Sequence, residues 1–485
     1  MTVLKPFILF CFIISGSAKL HAQTFVPLKE DSLKHKTLLD SITQKYKKDI
    51  SGVSGPNSKY IIELYKERYE NIKTIFDEDG IITNPEANDY LQSVVKIVYS
   101  YNLSLKSLNS RVLFSKAFWP NASSMGEGTI LFNIGLFYKL ENESQAAFVI
   151  CHELAHLYLN QSNKAIEQYV NTIYSDEFQK ELRTIQRSAY QKRQQLESLA
   201  KNFTFKDRRH SREHESEADS LAIEWLKNTP YDLNEALSCL TLLDSVDKDK
   251  YNEELRLEKY FNFPDYPFQA KWTRASVGLS AMANSSHEED KKEADSLKTH
   301  PDCKVRVAKL ESRVKQYQKG PKQKFVVSEK EFARLKKQFD LEIVLYCYKA
   351  GLISRCLYLS LEMLPQYKED ALIYSLIGGC LNQCYLYQKK HELTKISDLP
   401  AAYFDKKYDS LLHFIQNLRL PDWPALSYYF AKQYQDNFKN SEEFLNTLIV
   451  SKEIFNKPDE KKEWVDYYHK NFPKGKYNFE KINNQ

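Results

Sequence analysis

Apolar residues recur at intervals of three and four along most of this chain, and alternation survives in only two short stretches. The pattern predicts a mainly α protein with a small β-sheet. Residues 23–75 are polar and helical in pattern and read as an N-terminal helical spacer. Asn84-Pro85-Glu86 is a helix-start signal, since Asn caps and Pro suits the first turn; an amphipathic segment through Tyr90, Val94, Val95 and Val98 follows. Arg111 to Phe118 alternates as a strand, turn residues follow at Pro120, Gly126 and Gly128, and Thr129 to Asn133 reads as a second strand. Asn142, with Gln145 three residues on, has the spacing of a capping box and opens an apolar helix from Ala146. Residues 161–201 are long, charged and weakly amphipathic, and are expected as a helical insertion with a solvated face. A further helix is expected from about Ser211 to Lys227, ending before Pro230.

From about residue 325 the texture changes to paired helical segments, each near a turn signal. One pair runs to Gly351 and then from Cys356 to Leu364; the next begins at Ala371; a later pair covers Ala425 to Tyr434 and Phe444 to Phe455. The spacing predicts a helical-repeat domain of tetratricopeptide type over 325–485, although the consensus Trp and Gly positions are poorly kept. Ala371 to Tyr387 carries no charge, but it is short and contains Ser375, Asn382 and Gln383, so a buried repeat helix is expected rather than a membrane span.

Composition agrees with the helical reading. Of 485 residues only 13 are Gly and 16 Pro, too few to punctuate a strand-rich chain of this length. Net charge is +5 from 69 basic and 64 acidic side chains, a mixed surface that gives no case for nucleic-acid binding. Lys5 followed by the apolar run Phe7 to Ile14 and small residues reads as an export signal, 1–22, with cleavage after Ala18 or Ala22. The chain is therefore expected outside the cytoplasm, periplasmic or attached at the outer membrane, with no transmembrane span once the signal is removed. Of eight cysteines, Cys11 leaves with the signal. The other seven show no disulfide framework, and Cys380 and Cys384, four apart, are expected as small buried apolar residues.

The chemistry concentrates in His152-Glu153-Leu154-Ala155-His156. On a helix the two histidines lie one turn apart on one face and can share a tetrahedral zinc, while Glu153, rotated away, reaches toward a bound water rather than ligating. His391-Glu392 has no second histidine four residues on and reads as a surface pair. A catalytic zinc needs a third ligand, and the acidic run Arg212 to Asp219 supplies candidates. Glu215 and Asp219 share a helix face, so one can ligate while the other orients a ligand's far ring nitrogen. Glu213, His214 and Glu217 remain rivals on helical geometry alone.

These blocks resemble metallopeptidase family 48, the gluzincins that include HtpX-like and CAAX prenyl proteases. The resemblance rests on His152 to His156, on Glu215 to Asp219 ending in Ala218-Asp219, on Pro120-Asn121-Ala122 with Gly126-Glu127-Gly128 and Gly135-Leu136, and on Thr299-His300-Pro301 with Arg306. It implies a zincin-type metalloprotease domain over 76–320 with one zinc per chain. It implies ligands His152, His156 and Glu215, base Glu153, and Asp219 behind the ligands. His300 and Arg306 would lie near the cleft, able to stabilise an oxyanion or touch the metal site. The membrane helices of the HtpX and CAAX enzymes are absent, so the chain looks like the soluble exported branch, in which a protease joined to tetratricopeptide repeats works in the envelope on outer-membrane assembly.

The expected reaction is zinc-dependent hydrolysis of unfolded or misassembled proteins. The strand Thr129 to Asn133 is expected as an edge on which an extended substrate pairs through its main chain. The competing expectation is a chaperone or assembly factor that acts through the C-terminal repeats on envelope assembly machinery, with its zinc site gated by His300 or a loop or inactive.

Overall fold

The computed structural model describes residues 25–187, 192–245, 255–274, 303–401 and 404–479; the expected signal 1–22 and His300 lie outside these. Two helices open the chain, α1 (Ser32–Ser51) and α2 (Ser58–Asp77). The carboxylate of Asp31 starts α1 by accepting from the backbone N–H of Leu33 and Lys34, both at 3.0 Å. The two helices pack on each other, and Ile42, Ile72 and Phe76 on their shared face meet Leu113 and Leu131 of the sheet. The segment read as a spacer is thus a hairpin that covers one face of the sheet. Helix α3 (Pro85–Ser100) starts at the expected signal, with Asn84 Oδ1 accepting from Ala87 N at 3.1 Å.

Three strands form the sheet: β1 (Arg111–Ser115), β2 (Ala122–Ser124) and β3 (Thr129–Asn133), in the order β1-β3-β2. β3 runs parallel to β1 and antiparallel to β2. Alternate residues go to opposite faces. Val112, Phe114, Ile130 and Phe132 enter the main core, while Leu113 and Leu131 meet the N-terminal hairpin. Every residue of β3 is buried because helices cover both faces. This corrects the expectation that Thr129–Asn133 is an edge: it is the central strand, paired on both sides. The edge beside the helix that carries His152 is β2, three residues that the sequence pattern gave only as turn.

After α4 (Ile134–Lys139) comes α5 (Glu143–Tyr158), buried continuously from Glu143 to Ala155 among α3, β2 and later helices. Asn142 Oδ1 caps it by accepting from Gln145 N at 3.1 Å, and Gln145 Oε1 reaches back to Glu141 N at 2.8 Å, one residue beyond the expected capping box. The charged insertion is α6 (Gln161–Ile173), α7 (Asp176–Arg187) and the first part of α8 (Lys192–Leu226). The helix expected from Ser211 is the end of this single 35-residue element, roughly 50 Å long. Then come α9 (Glu235–Asp244), α10 (Leu257–Phe261) and α11 (Cys303–Tyr317).

Among the described residues the regular elements of the C-terminal region are helices: α12 (Glu329–Lys349), α13 (Ile353–Met363), α14 (Ala371–Lys389), α15 (Lys406–Asn417), α16 (Asp422–Phe438), α17 (Glu442–Ile454) and α18 (Pro458–Asn471). Gly351, at φ +74°, makes the tight turn between α12 and α13. The uncharged stretch from Ala371 lies within α14, which packs against α13, α16 and α17; among the described residues no helix is long and apolar enough to cross a membrane. The seven described cysteines are all buried. One apolar core links this region to the sheet. Phe137 of α4 meets Phe332 and Phe339 of α12 at ring separations of 4.8 and 5.5 Å, and Phe114 of β1 lies 5.0 Å from Phe339. The fold is mainly helical with a small sheet, followed by a helical C-terminal region, as the hydrophobic pattern predicts.

Candidate metal centre

Helix α5 delivers His152 and His156 to one face, and α8 crosses it with Glu215 and Asp219 turned inward beside Ala218 and Ala222. The i, i+4 spacing on each helix is local, but the meeting of the two helices is tertiary. His152 Nε2 and His156 Nε2 stand 3.0 Å apart, and the Glu215 oxygens lie 3.5 and 3.4 Å from them. Metal–ligand bonds near 2.0–2.1 Å in a tetrahedral zinc site hold neighbouring ligand atoms about 3.3 Å apart, so the three side chains fit a common ion. They are the group of potential metal ligands that the described residues bring together. Of the rivals that spacing left open, Glu213 and Glu217 lie on the exposed side of α8 and His214 is half-buried, whereas Glu215 is buried.

The far ring nitrogens are both held. His152 Nδ1 lies 3.0 Å from Asp219 Oδ1, close but off the axis of an aligned N–H bond. His156 Nδ1 is 2.5 Å from Gln161 Oε1. Behind Asp219, Arg306 of α11 donates from Nε and Nη2 to the two carboxylate oxygens at 2.7 Å each, and its Nη1 stands 3.3 Å from Glu215 Oε2. Arg306 is only 6% exposed, and its guanidinium is committed to these carboxylates. Arg306 therefore lies behind the ligands, where it orients carboxylates, and not free in the cleft as an oxyanion donor would be.

Electrostatics favour a positive charge between the imidazoles. Burial alone would depress the His152 pKa, but Asp219 and Glu215 outweigh it and raise it to about 10. Burial would likewise raise Asp219; its bonds to Arg306 and His152 prevail and lower it to about 2. Glu153, the residue after His152, is 3% exposed and makes no hydrogen bond or ion pair in the described structure. Its carboxylate is thus uncommitted at the edge of the ligand set.

Sequence reasoning brought forward six of these residues and missed Gln161. The signal was present, since Gln161 follows His156 by five residues, but a glutamine opening a charged stretch looks like surface until the turn is seen. Asn160, in the left-handed region at φ +54°, folds the chain back so that Gln161 returns to the histidine.

Two histidines and one carboxylate that could hold a metal ion, with a further buried carboxylate beside them, are a donor set that fits metal-dependent hydrolysis. Residues 85–314 match the family model for Peptidase family M48. No curated protein matches the chain.

Proposed function

We propose that the protein is a zinc endopeptidase of the cell envelope that cuts unfolded or misassembled proteins, with its C-terminal helices choosing the partner in the manner of tetratricopeptide repeats. The observation that carries the reading is the uncommitted, buried Glu153 beside the converging His152, His156 and Glu215. The M48 match supports it, and the leader-like residues 1–22 support export to the periplasm or the outer membrane.

In this reading His152, His156 and Glu215 hold the ion. Zinc, when bound there, makes a water nucleophilic near neutral pH and polarises the scissile carbonyl. Glu153 takes the proton of the attacking water and passes it to the leaving amine. Asp219 holds His152, and Arg306 holds Asp219 and Glu215 in place. Because β3 is central, β2 takes the substrate-pairing role expected of it. Asn133 N donates to Asn121 O, and Met125 N donates to Thr129 O. By the two-residue alternation of an antiparallel ladder, Ser123 faces β3, and the N–H groups of Ala122 and Ser124 face outward. An extended segment pairing there would be bound chiefly through its main chain, which suits broad specificity.

The test is hydrolysis of an unfolded model protein by wild type and Glu153→Gln, with and without chelator. The expected result is loss of cleavage in the variant with one zinc retained, and loss in wild type on chelation. Undiminished cleavage by Glu153→Gln would overturn the assignment.

A further inference from the structure

We propose that Gln161 is a positioning residue of the metal centre: its side-chain amide fixes His156 in the tautomer that presents Nε2 to the ion, and fastens both roots of the inserted helices to that ligand. This rests on the metal reading of His152, His156 and Glu215.

Gln161 is 4% exposed. Its Nε2 lies 3.0 Å from a Glu217 carboxylate oxygen and 3.4 Å from the His214 carbonyl oxygen, and its Oε1 faces His156 Nδ1 at 2.5 Å. Glu217 and the His214 carbonyl are acceptors only, so the NH₂ end of the amide must face them. The carbonyl end is left for the imidazole, and it can only accept. The proton of His156 therefore sits on Nδ1, and the lone pair of Nε2 points at the centre. The reversed amide would set a carbonyl oxygen against a carboxylate.

Placement gives this bond a second consequence. Gln161 is the first residue of α6, where the insertion leaves the catalytic helix, and His214 and Glu217 lie on α8, where it returns. One side chain thus ties the departing and returning ends of the inserted helices to a metal ligand. A neutral amide also suits the charge balance, because Glu153, Glu215 and Asp219 already line the centre on the other sides.

The experiment is zinc affinity of the purified protein by chelator competition, with the visible spectrum of the cobalt(II)-loaded protein as a second readout. Gln161→Met, which keeps the length and loses both bonds, is expected to weaken zinc binding roughly 10- to 100-fold and to shift the cobalt bands. Gln161→Glu combined with Glu217→Gln exchanges acceptor and donor and rebuilds the bonds to His156 and to residue 217, giving up only the longer 3.4 Å contact with the His214 carbonyl. It is expected to recover affinity to within about threefold of wild type. Should Gln161→Met fail to fold by circular dichroism, Gln161→Asn, too short to reach, is judged by the same criteria. A Met or Asn variant within about twofold of wild type, or an exchanged pair as weak as the single variant, overturns the proposal. Wild type that binds no zinc overturns the metal reading itself, and the wild-type curve alone reveals it.

Discussion

Arg306 holds Asp219 by both carboxylate oxygens, at 2.7 Å each, across 87 residues of sequence. The pair is almost fully buried, and Asp219 in turn lies 3.0 Å from the far nitrogen of His152. Ligand orientation at this centre therefore depends on α11, an element that supplies no ligand.

Asp219→Asn keeps the shape of the side chain and removes the charge that makes His152 a strong donor. Zinc affinity is expected to fall about 10- to 100-fold, measured by chelator competition, with the helical content unchanged. Affinity equal to wild type would show that Asp219 serves packing alone.

Glu143, the first residue of α5, is fully buried. Its carboxylate accepts from the backbone N–H groups of Val326, Val327 and Ser328 at 2.6, 2.7 and 2.7 Å, and from the Tyr90 hydroxyl at 2.9 Å. These bonds join the catalytic helix to the chain entering α12. Glu143→Ala leaves several buried donors unmet and is expected to cost about 3–5 kcal/mol of stability, read from urea unfolding. A loss below about 1 kcal/mol would mean that water replaces the carboxylate.

Glu235 of α9 accepts from Asn142 Nδ2 at 2.8 Å and from Gln145 Nε2 at 3.1 Å, bracing the start of α5, and pairs with Lys324 at 2.6 Å. Burial would raise its pKa, but Lys324, Ser238 and Asn142 outweigh it and hold the carboxyl below its ordinary value of 4.5. A depressed folded-state pKa contributes stability that is present above the unfolded value and is lost as pH falls through the folded one. Glu235→Gln is thus expected to be about 1–2 kcal/mol less stable than wild type at pH 7. The gap should narrow as pH falls below the ordinary carboxyl value of 4.5 in urea unfolding; a gap constant with pH would rule out this carboxylate as its source.

Ser124→Pro removes an outward N–H from β2 without touching the bonds to β3, a change that edge strands tolerate. Cleavage of unfolded protein is expected to drop about tenfold in kcat/KM, one lost main-chain bond, with zinc binding unchanged. Unaltered kcat/KM would place substrate elsewhere than on this edge.

Local spacing carried a large part of this protein into view. The caps at Asn84 and Asn142 each depend on residues three apart, and the helix carrying His152, Glu153 and His156 depends on one turn. Such features are encoded within a few residues, and tertiary packing left them in place. Helical periodicity also gave the C-terminal helices and narrowed the acidic run to a face. It stopped there, because Glu213, Glu215 and Glu217 are equivalent until a second helix determines which side of α8 is inside.

The strand edge was misjudged for the same reason. The short apolar run in Thr129–Asn133 identifies a strand, but whether a strand is central or outermost is set by its neighbours. Here a three-residue strand too short to have a pattern occupies the edge. The partners of the metal ligands were decided in three dimensions as well. Gln161 reaches His156 only through the left-handed turn at Asn160, and Arg306 reaches Asp219 only because α11 packs against α8 and α9. Sequence by itself determined which residues have the chemistry to hold and use a metal. The fold decided which carboxylate joins the two histidines, which groups hold them, and which strand lies at the edge of the sheet, because each of those depends on contacts between segments far apart in the chain.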